Sequence, residues 1–267
     1  MDIDDELLQL YFMGDRLGAS VEGMGPGTVP YEQLMQRQWQ YPNGTDESDS
    51  VRCFVSFANG YKWSGDYEAF AVGWASYITR HHAATSYGRA WRDLFATVKA
   101  FEASGGITFD QLTRISRDRN SMGNGCLALA YPCTVYAREV AADPLKLAQA
   151  VTMVSHAHPL AQKCVAALVR HFLSGEQIPE DCFPPVSVSN MERWEHTPIC
   201  PGCLWAAVEC SKGETQEEII RRAVEIGGDT DSYLSIALVL WSVRKQPTEV
   251  IADFSGLVDG GGAYRFL

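Results

Sequence analysis

Residues 214–243 read ETQEEIIRRAVEIGGDTDSYLSIALVLWSV, and this stretch decides the fold. It carries two helical patterns interrupted once, at Gly227-Gly228, with the second helix strongly apolar. Asp229 and Asp231 alternate with Thr230, and Ser232 follows, directly after the double glycine and before the apolar run. One such residue caps a helix N-terminus. Three hard oxygen donors on a glycine-freed turn also suit Mg²⁺ or Mn²⁺. On residue chemistry alone both readings, metal site and helix cap, stand.

Working outward, helical patterns recur. Residues 5–17 carry Leu7, Leu8, Leu10, Tyr11 and Leu17 at helical spacing and run into the loop composition GASVEGMGPG. Residues 66–78 (DYEAFAVGWASYI) and 89–104 (RAWRDLFATVKAFEAS) read as helices, and Asp110 begins a short one. Residues 126–141 (CLALAYPCTVYAREVA) are helical, with Pro132 marking a kink or a start. Residues 143–173 contain two helices broken near His158-Pro159, and LWAAVECS at 204–211 is another. Residues 24–50 and the proline-rich 179–190 read mostly as loop, and residues 51–58 as a short strand or a helix start. Strand patterns are scarce, and there is no internal repeat. The expectation is an all-α fold, a single compact bundle over residues 1–267.

The chain has 267 residues, 46% of them hydrophobic, enough for a sizeable core. Its net charge of −11, from 33 acidic against 22 basic residues, lacks the Lys/Arg surplus of nucleic-acid binders, so such a role is disfavoured. No apolar run approaches the roughly 20 residues of a membrane span. The acidic opening MDIDDELLQL lacks the basic start of a secretory signal, and a cytoplasmic location is expected. The eight cysteines read as buried reduced thiols; Cys200-x-x-Cys203 lacks the repeated spacing of a zinc site.

Four further segments carry chemistry. Thr45-Asp46-Glu47-Ser48-Asp49-Ser50 is a second oxygen-rich cluster ahead of an apolar run, alone more typical of a solvated loop. Ser121-Met122-Gly123-Asn124-Gly125 opens a helix with a turn that can offer N–H groups to an anion, or be an ordinary turn. Ser155-His156 sits at a helix break, where a histidine is often structural. Gly14-Asp15-Arg16-Leu17-Gly18-Ala19-Ser20-Val21-Glu22 combines glycines with two carboxylates.

In this order the five segments resemble the ADP-ribosylglycohydrolase family, which includes the dinitrogenase-reductase-activating glycohydrolase and the ADP-ribosyl-acceptor hydrolases. Gly14–Glu22 matches that family's G-D-A-L-G-x-x-x-E element. Thr45-Asp46-Glu47-Ser48 matches T-D-D-T, with Glu47-Ser48-Asp49-Ser50 an alternative register. Gly123–Pro132 matches G-N-G-A-A-M-R-x-x-P, with Leu129 where the family has Arg. Ser155-His156 matches T-H, and Gly227–Ser232 matches G-G-D-T-D-T.

The resemblance implies an orthogonal helical bundle whose central cleft holds two Mg²⁺ ions (Mn²⁺ is an alternative). The implied ligands are Thr45, Asp46, Glu47 or Asp49, Asp229, Asp231 and Ser232. It implies hydrolysis of the C1″ glycosidic bond between ADP-ribose and an acceptor side chain, with an ADP-ribosylated protein or an ADP-ribose derivative as partner. Glu22 and Asp229 would be catalytic, and Ser121, Gly123, Asn124, Gly125 and His156 would bind substrate. Acceptor choice would lie in rim loops 23–44 and 179–199. The alternative is a relative that binds ADP-ribose or a partner protein without turnover, a reading favoured by the loosened T-D-E-S and the missing Arg.

Overall fold

The computed structural model describes residues 6–37, 43–184 and 194–245. The expected single domain extends beyond these at both ends, and both expected rim loops lie partly outside them. Twelve α-helices make up the described fold, with no β-strand among the described residues. They are α1 (Glu6–Ala19), α2 (Tyr31–Arg37), α3 (Asp46–Gly60), α4 (Tyr67–His81), α5 (Arg89–Glu102), α6 (Phe109–Arg119), α7 (Ala130–Glu139), α8 (Pro144–Met153), α9 (Pro159–Ser174), α10 (Cys200–Ser211), α11 (Gln216–Ile226) and α12 (Thr230–Arg244). The all-α expectation is met.

Local chemistry explains most boundaries. Asp66, Asp143 and Thr215 accept backbone N–H bonds at the starts of α4, α8 and α11, and Thr108 forms a full capping box with Gln111 at α6. The break at His158-Pro159 is the N-cap and first residue of α9, where a missing proline N–H costs nothing. Pro132 lies in the first turn of α7 for the same reason, behind a 3₁₀ segment at Asn124–Leu129.

One stretch differs from the sequence reading, and in a second the structure decides between the two alternatives that stood. The 24–50 region contains α2 and the first turn of α3, and residues 51–58 are helical rather than strand. Thr45 caps α3, so the acidic residues 46–50 are its first turns, while Val51, Phe54 and Val55 face the core. A polar first turn followed by a short apolar stretch carries too little periodicity to be recognised without its packing partners.

The core is organised around α12, in which every residue from Thr230 to Ser242 is buried. A helix apolar all round belongs at the centre of a bundle, surrounded by other helices. Helix α1 lies directly against it. A Cβ on Gly14 would come within 2.6 Å of the Ser235 Cα, and one on Gly18 within 2.4 Å of the Asp231 Cα. These two glycines, one helical turn apart, let the backbones touch, which brings the end of α1 beside the start of α12. No described helix is long and apolar enough to cross a membrane. All eight cysteines are buried free thiols, and Cys200 and Cys203 sit in the first turns of α10.

Candidate metal and substrate cleft

The double glycine before α12 shapes one side of the cleft. Gly227 and Gly228 have φ of +71° and +86°, and the segment after α1 pairs with them: Gly23 N donates to Gly228 O (2.7 Å) and Gly228 N to Met24 O (2.9 Å). A Cβ on Gly227 would meet Met24 O at 2.7 Å, so the pairing requires glycine there. It carries Glu22 to the cleft rim, exposed but facing the start of α12. Ligand oxygens of Glu22, Asp229 and Asp231 then lie within 4.8 Å of one another.

The other side is the N-terminus of α3. Thr45 Oγ1 lies 2.7 Å from Asp15 Oδ1 and 3.1 Å from Asp231 Oδ2. Asp15, fully buried on α1, accepts the N–H groups of Thr45 (2.8 Å) and Ser48 (3.1 Å). A carboxylate from one helix thus satisfies the free N–H groups of another, where the helix dipole favours negative charge. Glu47 Oε1 accepts from Ser232 Oγ at 3.1 Å, joining α3 to α12. Asp46 accepts from Ser86 Oγ at 2.8 Å and stays within electrostatic reach of Asp15, Glu22 and Asp229.

Asp49 is not part of this assembly. Its Oδ2 accepts from Ala83 N (2.9 Å), Ala84 N (3.0 Å) and Tyr87 Oη (2.8 Å), tying α3 to the connection between α4 and α5. The register beginning at Thr45 is the one that reaches the cleft. Asp49 lies three residues beyond Asp46 and presents its carboxylate to a different set of donors.

Behind the cleft, Asn124 Nδ2 donates to Thr197 O (3.0 Å) and to Asp229 Oδ2, while Asp229 N donates to Thr197 Oγ1 (2.8 Å). Thr197, fully buried, therefore holds the glycine-rich turn and the start of α12 together. Ser121 Oγ accepts from Gly123 N at 3.2 Å. His156 is only 2% exposed and packs behind Gly123, with Nδ1 2.8 Å from Ser155 Oγ and its ring against Trp91. Burial lowers its pKa to about 4, so it is neutral. It packs against the turn, where a Cβ on Gly123 would lie 3.4 Å from its Nε2.

Electrostatically the cleft is one-sided. Burial raises Asp15, Asp46, Glu47, Asp229 and Asp231 above the usual carboxylate range, most for Glu47 and Asp231, where facing carboxylates add to it. Partial desolvation, then the fields of Asp229, Asp46 and Asp15, push Glu22 to about 7. Among the described residues, no ion pair involves any of these six acids. Carboxylates gathered out of water without a counter-cation repel one another unless a cation or protons balance them. The donors are all hard oxygens, carboxylates with the hydroxyls of Thr45 and Ser232 between them. That set fits Mg²⁺ or Mn²⁺ and does not fit a thiolate- or imidazole-seeking metal.

Two of these residues had no assigned role in the sequence. Asp15 was visible as a carboxylate between two glycines four apart, the spacing of a close helix contact. Thr197, in an irregular segment, carries no comparable signal.

An all-α bundle with an acid-lined cleft at the start of its central helix defines the structural class. The family model described as ADP-ribosylglycohydrolase matches residues 8–245, and the chain belongs to that family. Its members are generally metal-dependent hydrolases, and the family implies ADP-ribosylated substrates. Among solved structures, the chain is similar to one described as an ADP-ribosylglycohydrolase-related protein complex. Identity is 22% and TM-score 0.58, with 89% of this chain and 85% of that chain covered. At that identity the likeness concerns the fold. No curated protein matches the chain.

Proposed function

We propose that this protein is a Mg²⁺-dependent hydrolase that removes ADP-ribose from a modified acceptor side chain by cleaving the C1″ glycosidic bond. The observation that carries the reading is the convergence of Glu22, Asp229 and Asp231 within 4.8 Å, among further buried acids that no described cation balances. Two ions would be held by Thr45, Asp46, Glu47, Asp229, Asp231 and Ser232. Bound there, divalent metal supplies a Lewis acid for sugar oxygens and lowers the pKa of water.

The chain's own residues account for the rest. Glu22, at the rim and not locked into hydrogen bonds with its neighbours, is the general acid/base, taking a proton from the attacking water and returning one to the leaving acceptor. Asn124 and Thr197 hold Asp229 in orientation. Gly123 and Gly125 allow the substrate to approach the backbone, and Ser121 shapes that turn. The buried acids stabilise the positive charge that develops at C1″ as the bond breaks.

The test is release of ADP-ribose from ADP-ribosylated arginine and serine substrates, with Mg²⁺ or with EDTA, alongside Asp229→Ala. Metal-dependent release that the substitution abolishes is expected. Tight ADP-ribose binding without release from any acceptor would instead support the non-catalytic alternative. Absence of both binding and release would overturn the proposal.

A further inference from the structure

Tyr11, on α1, has no part in the chemistry described so far. It stands one helical turn before Asp15, on the face that carries Gly14 and Gly18 against α12. Asp15, on the same face, meets the start of α3 through Thr45 and Ser48. The phenol is therefore buried where α1, α3 and α12 join, with its ring edge-on to Phe12 at 6.2 Å.

The Tyr11 hydroxyl is sealed from solvent and makes no hydrogen bond among the described residues. Buried phenols ordinarily find a partner, and leaving one unpaired is costly. Bulk water does not reach this one, so a partner has to come from the side chains around it. Burial first, then the fields of Glu47, Asp15, Cys203 and Asp231, push the hydroxyl far above its usual range, so it keeps its proton and remains a donor.

The donors that each neighbouring acid already accepts select the partner. Asp15 accepts from Thr45 N, Thr45 Oγ1 and Ser48 N. Asp231 accepts from Ser232 N and faces Thr45 Oγ1. Glu47 accepts only from Ser232 Oγ among the described residues, although a carboxylate has about four acceptor positions. One hydrogen bond leaves that carboxylate free to rotate, and a change of side-chain rotamer brings it to the phenol. A metal-ligating carboxylate is ordinarily held by further hydrogen bonds. We propose that Tyr11 is a positioning residue whose hydroxyl donates to the Glu47 carboxylate and fixes it in the orientation that takes a divalent cation. This deepens the metal-dependent reading and rests on it.

The experiment compares wild type with Tyr11→Phe by calorimetric titration with MgCl₂ and by thermal melting in EDTA. Phenylalanine keeps the ring packing and removes only the hydroxyl. The expected result is a Mg²⁺ Kd weakened roughly 10- to 100-fold. The melting temperature in EDTA should equal or exceed that of the wild type, since an unpaired buried hydroxyl adds nothing to the fold. In a Glu47→Gln background the same substitution should cost no further affinity, and an added loss there would overturn the assignment to Glu47. Unchanged Mg²⁺ affinity in Tyr11→Phe would overturn the role of Tyr11 and leave the metal reading standing. A lower melting temperature in EDTA, with or without weaker binding, would make the tyrosine structural and overturn the proposal. Wild type that binds no Mg²⁺ would instead sink the metal reading, and this assignment with it.

Discussion

The two oxygen-rich turns, Thr45–Ser50 and Gly227–Ser232, look alike in composition and behave differently in the fold. In the second, Asp229, Asp231 and Ser232 all turn toward one cleft, because the positive φ angles of Gly227 and Gly228 let the chain enter the central helix from inside the bundle. In the first, the residues divide. Thr45 and Glu47 reach α12, Asp46 stays at the cleft edge, and Asp49 is committed to the N–H groups of Ala83 and Ala84. Clustering of carboxylates in sequence therefore does not establish a shared site. The exit direction of each side chain from its helix decides that.

The largest expected difference between the two turns is in metal response. Asp231→Ala should abolish the rise in melting temperature that Mg²⁺ gives the wild type, and lower kcat/KM by about 10³-fold, or ~4 kcal/mol. Asp49→Ala should keep both. A wild-type level of metal stabilisation in Asp231→Ala would break the comparison, since the second turn would then not be the site.

Next in size is Gly18→Ala, which places a Cβ 2.4 Å from the backbone of Asp231. Neither helix backbone can yield without displacing the acids it carries. Denaturant unfolding should reveal a loss of about 1–3 kcal/mol, accompanied by weaker Mg²⁺ binding. A fully stable variant with unchanged metal affinity would show that the contact between α1 and α12 does not position the cleft.

Thr197→Val keeps the volume and removes the acceptor for Asp229 N. Loss of such a supporting hydrogen bond should weaken metal affinity roughly 10- to 100-fold, read by titration calorimetry, while helical content by circular dichroism stays unchanged. The smallest effect should be on the first turn: Asp49→Ala leaves the Tyr87 hydroxyl and two loop N–H groups without their acceptor. A cost of about 1–2 kcal/mol in stability is expected, with turnover within about twofold of wild type. Loss of turnover out of proportion to stability would return Asp49 to the functional set.

Most of the helices, though not α2 or the start of α3, and the chemistry-bearing segments were legible along the chain. Leucines at helical spacing marked α1, Pro159 marked the start of α9, and GGDTDS ahead of an apolar run marked the start of α12. What stayed hidden follows from the range of the forces involved. Residues 46–50 carry the polar first turns of a helix whose apolar face is only partly contained in residues 51–58, so α3 emerged only once its packing partners were present. His156 sits beside the motif turn in space, but its 2% exposure is a property of the packed core and not of its neighbours in sequence.

Periodicity, capping residues and glycine placement are local, acting over one or two helical turns, and they determined an all-α chain with one oxygen-rich turn opening a helix and a second oxygen-rich stretch ahead of an apolar run. The tertiary structure alone decided which of those oxygens meet. Gly14 and Gly18 bring α1 against α12, so Asp15 becomes the acceptor for the start of α3. The pairing of Met24 with Gly228 delivers Glu22 to Asp229 and Asp231, residues more than 200 positions away. Such meetings depend on backbone contacts between distant segments, which no periodicity within either segment encodes.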